Sequence, residues 1–133
     1  MSRRPQTESC DTRHKLLKSA EQEFALQGYD KASLRQICAH AGVTTGALYF
    51  FFENKEDLFK NVLIPVTESA IQILEDYKDH LLVSGERNLE DTPLGNEETL
   101  EKFLDLLYGN RYVVQILVNN RENPHVVHFF EEL

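Results

Sequence analysis

The densest hydrogen-bonding chemistry in the chain sits in Val43-Thr44-Thr45-Gly46-Ala47-Leu48-Tyr49, where two hydroxyls and a phenol surround a residue with no side chain. Hydroxyl and phenol groups suit contacts to phosphate oxygens, and small residues let a backbone come close to a nucleic acid. Two other groupings invite chemistry and carry it less far. His125, His128 and Glu131 recur every three residues and mimic a metal face, but zinc wants a fourth ligand that the sequence does not place. Solvated helix residues are the better reading there, and no metal or cofactor is expected. No nucleophile–base pairing and no glycine-rich phosphate loop stands out, so an enzyme is not expected. Cys10 and Cys38 form no CxxC pair, which argues against a disulfide framework and for a reducing cytoplasm.

The elements that must position these residues are helical. Leu16, Leu17, Ala20 and Phe24 recur at three- and four-residue spacing, which predicts a helix from about Asp11 to Gln27. Asp11 or Thr12 suits its start and Gly28 its end. Ser33-Leu34-Arg35-Gln36 reads as a capping box opening a second helix that buries Leu34, Ile37, Cys38 and Ala41 and breaks at Gly42. A very short third helix follows from Thr44 or Thr45 to about Phe51, with Leu48 and Phe52 on its inner face. Asn54 and Asp57 restart a helix whose stripe runs through Leu58, Val62, Val66, Ala70, Ile73, Leu74, Tyr77 and Leu81. Pro65 should kink or split it.

The stretch from Ser84 to Asn96, with Gly85, Asn88, Pro93 and Gly95, is a loop by composition. Leu100, Phe103, Leu104 and Leu107 give an amphipathic helix. Val113 to Val118 favours a strand by propensity, but no partner strand is visible, so a buried helix is expected. Asn123-Pro124 opens a last helix. That helix reaches Leu133 without a capping signal and reads as cut off. Val126, Val127, Phe129, Phe130 and Leu133 are then expected to lack partners in a monomer.

The fold class is therefore all-α: a three-helix helix-turn-helix head, then a long helix and a partial helical bundle. Residues 1–10 read as a flexible arm, with Arg3 and Arg4 better read as an untethered tail than as a minor-groove arm. Residues 11–60 form the head, and 61–133 an incomplete effector and dimerisation region. The net charge of −8 does not exclude nucleic acid, because it is unevenly spread. Residues 1–60 carry nine Lys/Arg against eight Asp/Glu, net +1, and residues 61–133 carry five against fourteen, net −9. No apolar run approaches the ~20 residues that span a bilayer, and the basic start has no apolar segment behind it, as a signal peptide would.

In a helix-turn-helix the second helix enters the major groove with its N-terminal residues against base edges. The segment Gly42-Val-Thr-Thr-Gly-Ala-Leu-Tyr-Phe-Phe-Phe-Glu-Asn-Lys-Glu-Asp-Leu58 resembles the signature of the tetracycline-repressor (TetR) family, with Ala20, Phe24, Gly28, Tyr29, Ile37 and Ala41 in register upstream. The resemblance covers roughly residues 10–60 and implies a DNA-binding transcriptional regulator. It implies that Thr44, Thr45, Gly46, Tyr49 and Phe50 lie at or near DNA on the recognition helix. It also implies that Lys55 meets a phosphate at a helix N-terminus and that Arg35 reaches the major groove, where arginine pairs with guanine.

Local readings stand beside these. Ser33 is a cap first and a phosphate ligand second, Lys55 could pair with a nearby acid, and Arg35 could be solvated. Leu48 and Phe52 are core, and Phe51 is packing before it is contact. Two departures mark this chain: Thr45 replaces a residue that is often basic, and Phe50 and Phe51 replace more polar ones. Phe50 could meet a thymine methyl.

Family analogy further implies a homodimer on a palindromic operator, repression, and release by a small-molecule effector, for which Phe103, Tyr108 and Tyr112 are candidate lining residues. Ordinary core packing explains those three aromatics equally well. The alternative is an acidic helical interaction module with weakened DNA binding. No membrane partner is expected.

Overall fold

In a computed structural model, residues 6–85, 93 and 96–133 are described. They form seven helices, with no strand among the described residues. Arg3 and Arg4, and Asn88 and Gly95 of the expected loop, lie outside the described residues. The head is built from α1 (Gln6–Gln27), α2 (Leu34–Ala41) and α3 (Thr45–Phe51). The long α4 (Lys55–Ser84), then α5 (Glu97–Gly109), α6 (Arg111–Asn119) and α7 (Pro124–Glu132) complete the chain.

The boundaries follow local chemistry. Gly28 takes φ +79°, a left-handed conformation that costs glycine little, and its N–H returns to the Phe24 carbonyl at 3.0 Å. The side chains of Ser33, Thr44, Asn54, Asn96 and Asn123 each accept from a backbone N–H in the first turn of α2, α3, α4, α5 and α7. One expectation needs correction. α1 starts at Gln6 rather than near Asp11, so residues 6–10 are helix and not arm; no glycine or proline stands between Gln6 and Cys10 to stop it. α4 is one 30-residue helix with Pro65 inside it, so of the two outcomes expected at Pro65, a kink or a split, the split does not occur. Pro65 lies on the exposed side, where the carbonyl it leaves without an N–H partner can turn to water.

The hydrophobic core runs without a break across the expected domain boundary at residue 60. Leu16, Phe24, Ile37, Leu48, Phe52, Leu58 and Phe59 of the head belong to the same buried cluster as Val113, Ile116, Leu117, Val126 and Phe129 of α6 and α7. Phe24 and Phe59 within it and the half-buried Tyr29 against it form an aromatic knot, with Phe59 edge-on to both other rings at centroid distances of 5.0 and 4.9 Å. The stretch expected as a buried helix is α6, with Val113, Ile116 and Leu117 inside. The last helix divides its apolar residues. Val126 and Phe129 find partners in the core, while Val127, Phe130 and Leu133 stay exposed.

Polar bonds reinforce this seam. The Gln115 amide donates to the Ala25 carbonyl at 3.2 Å, and the Asn120 side-chain oxygen accepts from the Tyr29 N–H at 3.1 Å. The Asn120 amide also donates to the Ile116 carbonyl at 2.8 Å, so the side chain bridges the end of α6 to the turn after α1. Asn120→Ala strands the half-buried Tyr29 N–H and is expected to cost about 1–3 kcal/mol. Urea unfolding checks this; an unchanged midpoint would show that water replaces the bridge without loss.

Candidate nucleic-acid interface

The turn between α2 and α3 depends on Gly42, whose φ of +70° lies in the left-handed region. Its N–H bonds the Ala39 carbonyl at 3.2 Å, and Val43 N–H bonds that of Cys38 at 3.0 Å, which closes α2 and reverses the chain. Thr44 then caps α3, its hydroxyl oxygen accepting from Ala47 N–H at 3.1 Å. Leu48 and Phe52, 1% and 2% exposed, anchor the inner face of α3 in the core. The outer face therefore belongs to Thr45, Gly46, Tyr49 and Phe50, all exposed. Phe50 is 79% exposed and Tyr49 57%, an unusual display for large rings with nothing to meet. Phe51 packs against the core, as expected, and sits edge-on to Phe50 at 5.0 Å.

Gly46 sharpens the picture. A β-carbon there would meet only the Thr44 hydroxyl oxygen, at an ordinary 3.8 Å. The fold does not require glycine at this position, and glycine in a helix costs roughly 0.5–1 kcal/mol relative to alanine. The missing side chain instead keeps the exposed face of the helix low.

The flanking candidates divide. Ser33 is the α2 cap, accepting from Gln36 N–H at 3.3 Å. Arg35 is exposed in the first turn of α2. The Lys55 ammonium donates to the Asp30 backbone carbonyl at 3.2 Å and lies 4.8 Å from the centre of the Tyr29 ring. An ammonium has three N–H groups, so further donors stay open to a phosphate. Burial first, then the Glu56 and Asp30 carboxylates, push the Tyr29 phenol above its ordinary range. The Cys38 thiol is also pushed up by burial and stays protonated.

The second part holds one correction. His125 is not a solvated surface residue: its Nε2 lies 2.8 Å from the Glu56 carboxylate in the first turn of α4, against the Phe59 ring. His128 pairs within its own helix, to Glu132 at 3.0 Å. No three metal-ligating side chains gather among the described residues. Tyr108 and Tyr112 stand exposed on α5 and α6, and Phe103 is half-buried. Sequence reading also passed over Arg13, Asn61 and Asn120, whose partners lie 48 to 91 residues away and leave no local pattern.

No helix among the described residues is long and apolar enough to cross a membrane. Residues 16–62 match the family model described as "Bacterial regulatory proteins, tetR family". The chain is 43% identical to the HTH-type transcriptional repressor BepR of Brucella suis over 61 residues, 46% of this chain and 29% of the relative. It is 33% identical to the probable acrEF/envCD operon repressor of Escherichia coli over 118 residues, 87% of this chain and 47% of that one. With the E. coli regulator UidR it shares 33% identity over 128 residues, 91% of this chain and 58% of the relative. It thus spans between about a third and just over half of these relatives. A crystal structure of a transcriptional regulator (TerR/AcrR family) from Aquifex aeolicus superposes with a TM-score of 0.69 at 28% identity, covering 91% of this chain and 64% of that one. The helix-turn-helix head, residues 16–62, thus belongs to the tetR family of bacterial regulatory proteins, and the all-helical fold around it matches a solved transcriptional regulator over 91% of the chain.

Proposed function

We propose that the chain binds double-stranded DNA sequence-specifically as a transcriptional repressor, with α3 as the recognition helix. The observation that carries this reading is the two-sidedness of α3. Leu48 and Phe52 hold one face in the core, while Thr45, Gly46, Tyr49 and Phe50 stand bare on the other, and Arg35 is exposed in the first turn of α2. Thr44, Thr45 and Tyr49 offer hydrogen bonds to phosphate or base edges, Gly46 permits close approach, and Phe50 offers apolar surface to a thymine methyl. Ser33 and Lys55 supply phosphate contacts at either end. Several relatives carry the word repressor in their names, which favours repression here.

Selection of bound sequences from a random duplex pool, followed by a salt titration of the winner, tests the reading. Phosphate contacts release counterions, so affinity falls linearly with salt on logarithmic axes. A chain that enriches no sequence and shows no salt dependence is an interaction module and not a regulator.

Individual contacts separate by their signature. Lys55→Ala and Tyr49→Phe weaken binding to all sequences alike, and Lys55→Ala lowers the salt slope by about one per half-site. Arg35→Ala relaxes preference at one base pair, by about 1–3 kcal/mol. Equal losses on selected and random DNA would demote Arg35 to a positioning contact.

Two recognition helices one turn apart read a palindrome, so the chain acts as a homodimer, and light scattering at micromolar concentration reads that state. A small-molecule effector completes the reading. Phe103, Tyr108 and Tyr112 offer aromatic surface for it, and an open cleft of about 320 Å³ between α4 and α7, walled by Leu63, Ile64, Ile71 and Phe129, offers a second place.

A further inference from the structure

One set of side chains outside the recognition face joins α1 to the turn on which α3 is hung. The Arg13 guanidinium donates from Nη2 to the Asn61 side-chain oxygen at 3.1 Å. The Asn61 amide nitrogen donates onward to the Asp57 carboxylate at 3.2 Å and to the Asp57 carbonyl at 2.8 Å. The other carboxylate oxygen of Asp57 accepts from the Glu53 N–H at 3.0 Å, while Asp57 N–H is held by the Asn54 side chain at 2.8 Å. Donation runs from Arg13 through Asn61 to Asp57, whose carboxylate also accepts from the Glu53 N–H, so the bonds link α1 through α4 to the three-residue connection between α3 and α4. The same guanidinium lies 5.4 Å from the centre of the buried Phe52 ring, the residue that ends α3. Arg13 thus touches the end of the recognition helix directly, and the turn after it through two intermediaries.

We propose that Arg13 is a positioning residue for DNA recognition: through Asn61, Asp57 and the Phe52 ring it sets the angle at which α3 leaves the head. This rests on the DNA-binding reading above and assigns Arg13 a role distinct from a phosphate contact. The two roles differ physically. A phosphate contact is blind to sequence and shows in the salt slope. A residue that aims the helix holds the reading groups at the base edges, so its loss falls on the selected sequence and spares random DNA. Asn61 carries no charge, yet it must share the effect, because the relay passes through it.

The test uses the full chain, a duplex recovered by the wild-type protein from a random pool, and a random-sequence duplex. Arg13→Gln is expected to lower the ratio of the two affinities about tenfold, the loss of one charge-assisted hydrogen bond, with an unchanged salt slope. Asn61→Ala gives a similar loss, and the double variant loses little more than either single one, since both cut the same relay. Amide hydrogen exchange without DNA reads the relay on its own. Glu53 N–H should exchange faster in both single variants while amides of α6 are unchanged, and Arg13→Lys should recover part of the protection.

A drop in salt slope with equal losses on both duplexes would overturn the proposal in favour of a phosphate contact. Additive losses, or unchanged Glu53 exchange, would break the relay. Were the wild-type chain to enrich no duplex at all, the DNA-binding reading would fall, and with it any role of Arg13 in recognition. The exchange result would then still report whether the relay holds the turn.

Discussion

Phe52→Ala loosens or unfolds the helix-turn-helix, at a cost of about 3–5 kcal/mol. The side chain is 2% exposed and belongs to the core cluster with Leu16, Leu48 and Leu58. It ends α3, with its N–H on the Leu48 carbonyl at 2.9 Å, so the ring fixes the helix at the point where the chain turns into α4. Truncation leaves a cavity that neighbouring rings cannot fill without leaving their own contacts, including the Phe51 ring at a centroid distance of 6.4 Å. Since domains of this size are stable by only about 5–15 kcal/mol, the variant loses a large share of the total. Urea unfolding should show the drop, with DNA affinity falling alongside. A loss below about 1 kcal/mol would mean that the head is not held through this ring.

Thr45→Glu acts oppositely: the fold survives and DNA binding does not. Thr45 is the exposed first residue of α3, and its side chain has no partner role in capping, which Thr44 performs. A carboxylate in the first turn of a helix is tolerated or mildly favoured by the helix dipole, so the unfolding midpoint should hold or rise. Against the phosphates of a groove the same charge is repelled, at a cost of several kcal/mol. About 3 kcal/mol is already more than a hundredfold in affinity. Thr45→Lys should tighten binding and steepen the salt slope by about one per half-site. Competition binding by fluorescence anisotropy measures all three proteins. Wild-type affinity in Thr45→Glu would remove α3 from the interface.

What could be read in the sequence was whatever is settled within a turn or two of chain. Gly28 and Gly42 end helices because of their own backbone freedom, and Ser33, Thr44, Asn54 and Asn123 open them through bonds two or three residues away. The buried face of α3 followed from the four-residue spacing of Leu48 and Phe52 in the same way. What escaped was decided across the fold. Lys55 and Asp30 lie 25 residues apart and His125 and Glu56 lie 69 apart, and nothing near either partner announces the other. The start of α1 was misplaced because a capping residue at Asp11 or Thr12 is only permission to begin, and the chain before it is equally able to be helical. Pro65 left two outcomes open, a kink or a split. Its cost depends on whether the freed carbonyl faces water, which is a property of the packed helix and not of the residue. Of the last helix, periodicity marked the apolar residues but could not tell Val126 and Phe129, which reach the core, from Val127 and Phe130, which do not.

The measurement closest to the central claim is an amide chemical-shift titration of the whole chain with a selected duplex at physiological salt. The largest shifts should fall on residues 33–35 and 44–55, the openings of α2 and α3 and the start of α4, with smaller changes through α1. Shifts confined to the acidic α5–α7 region, or equal in size for selected and random duplex, would contradict recognition of DNA by α3.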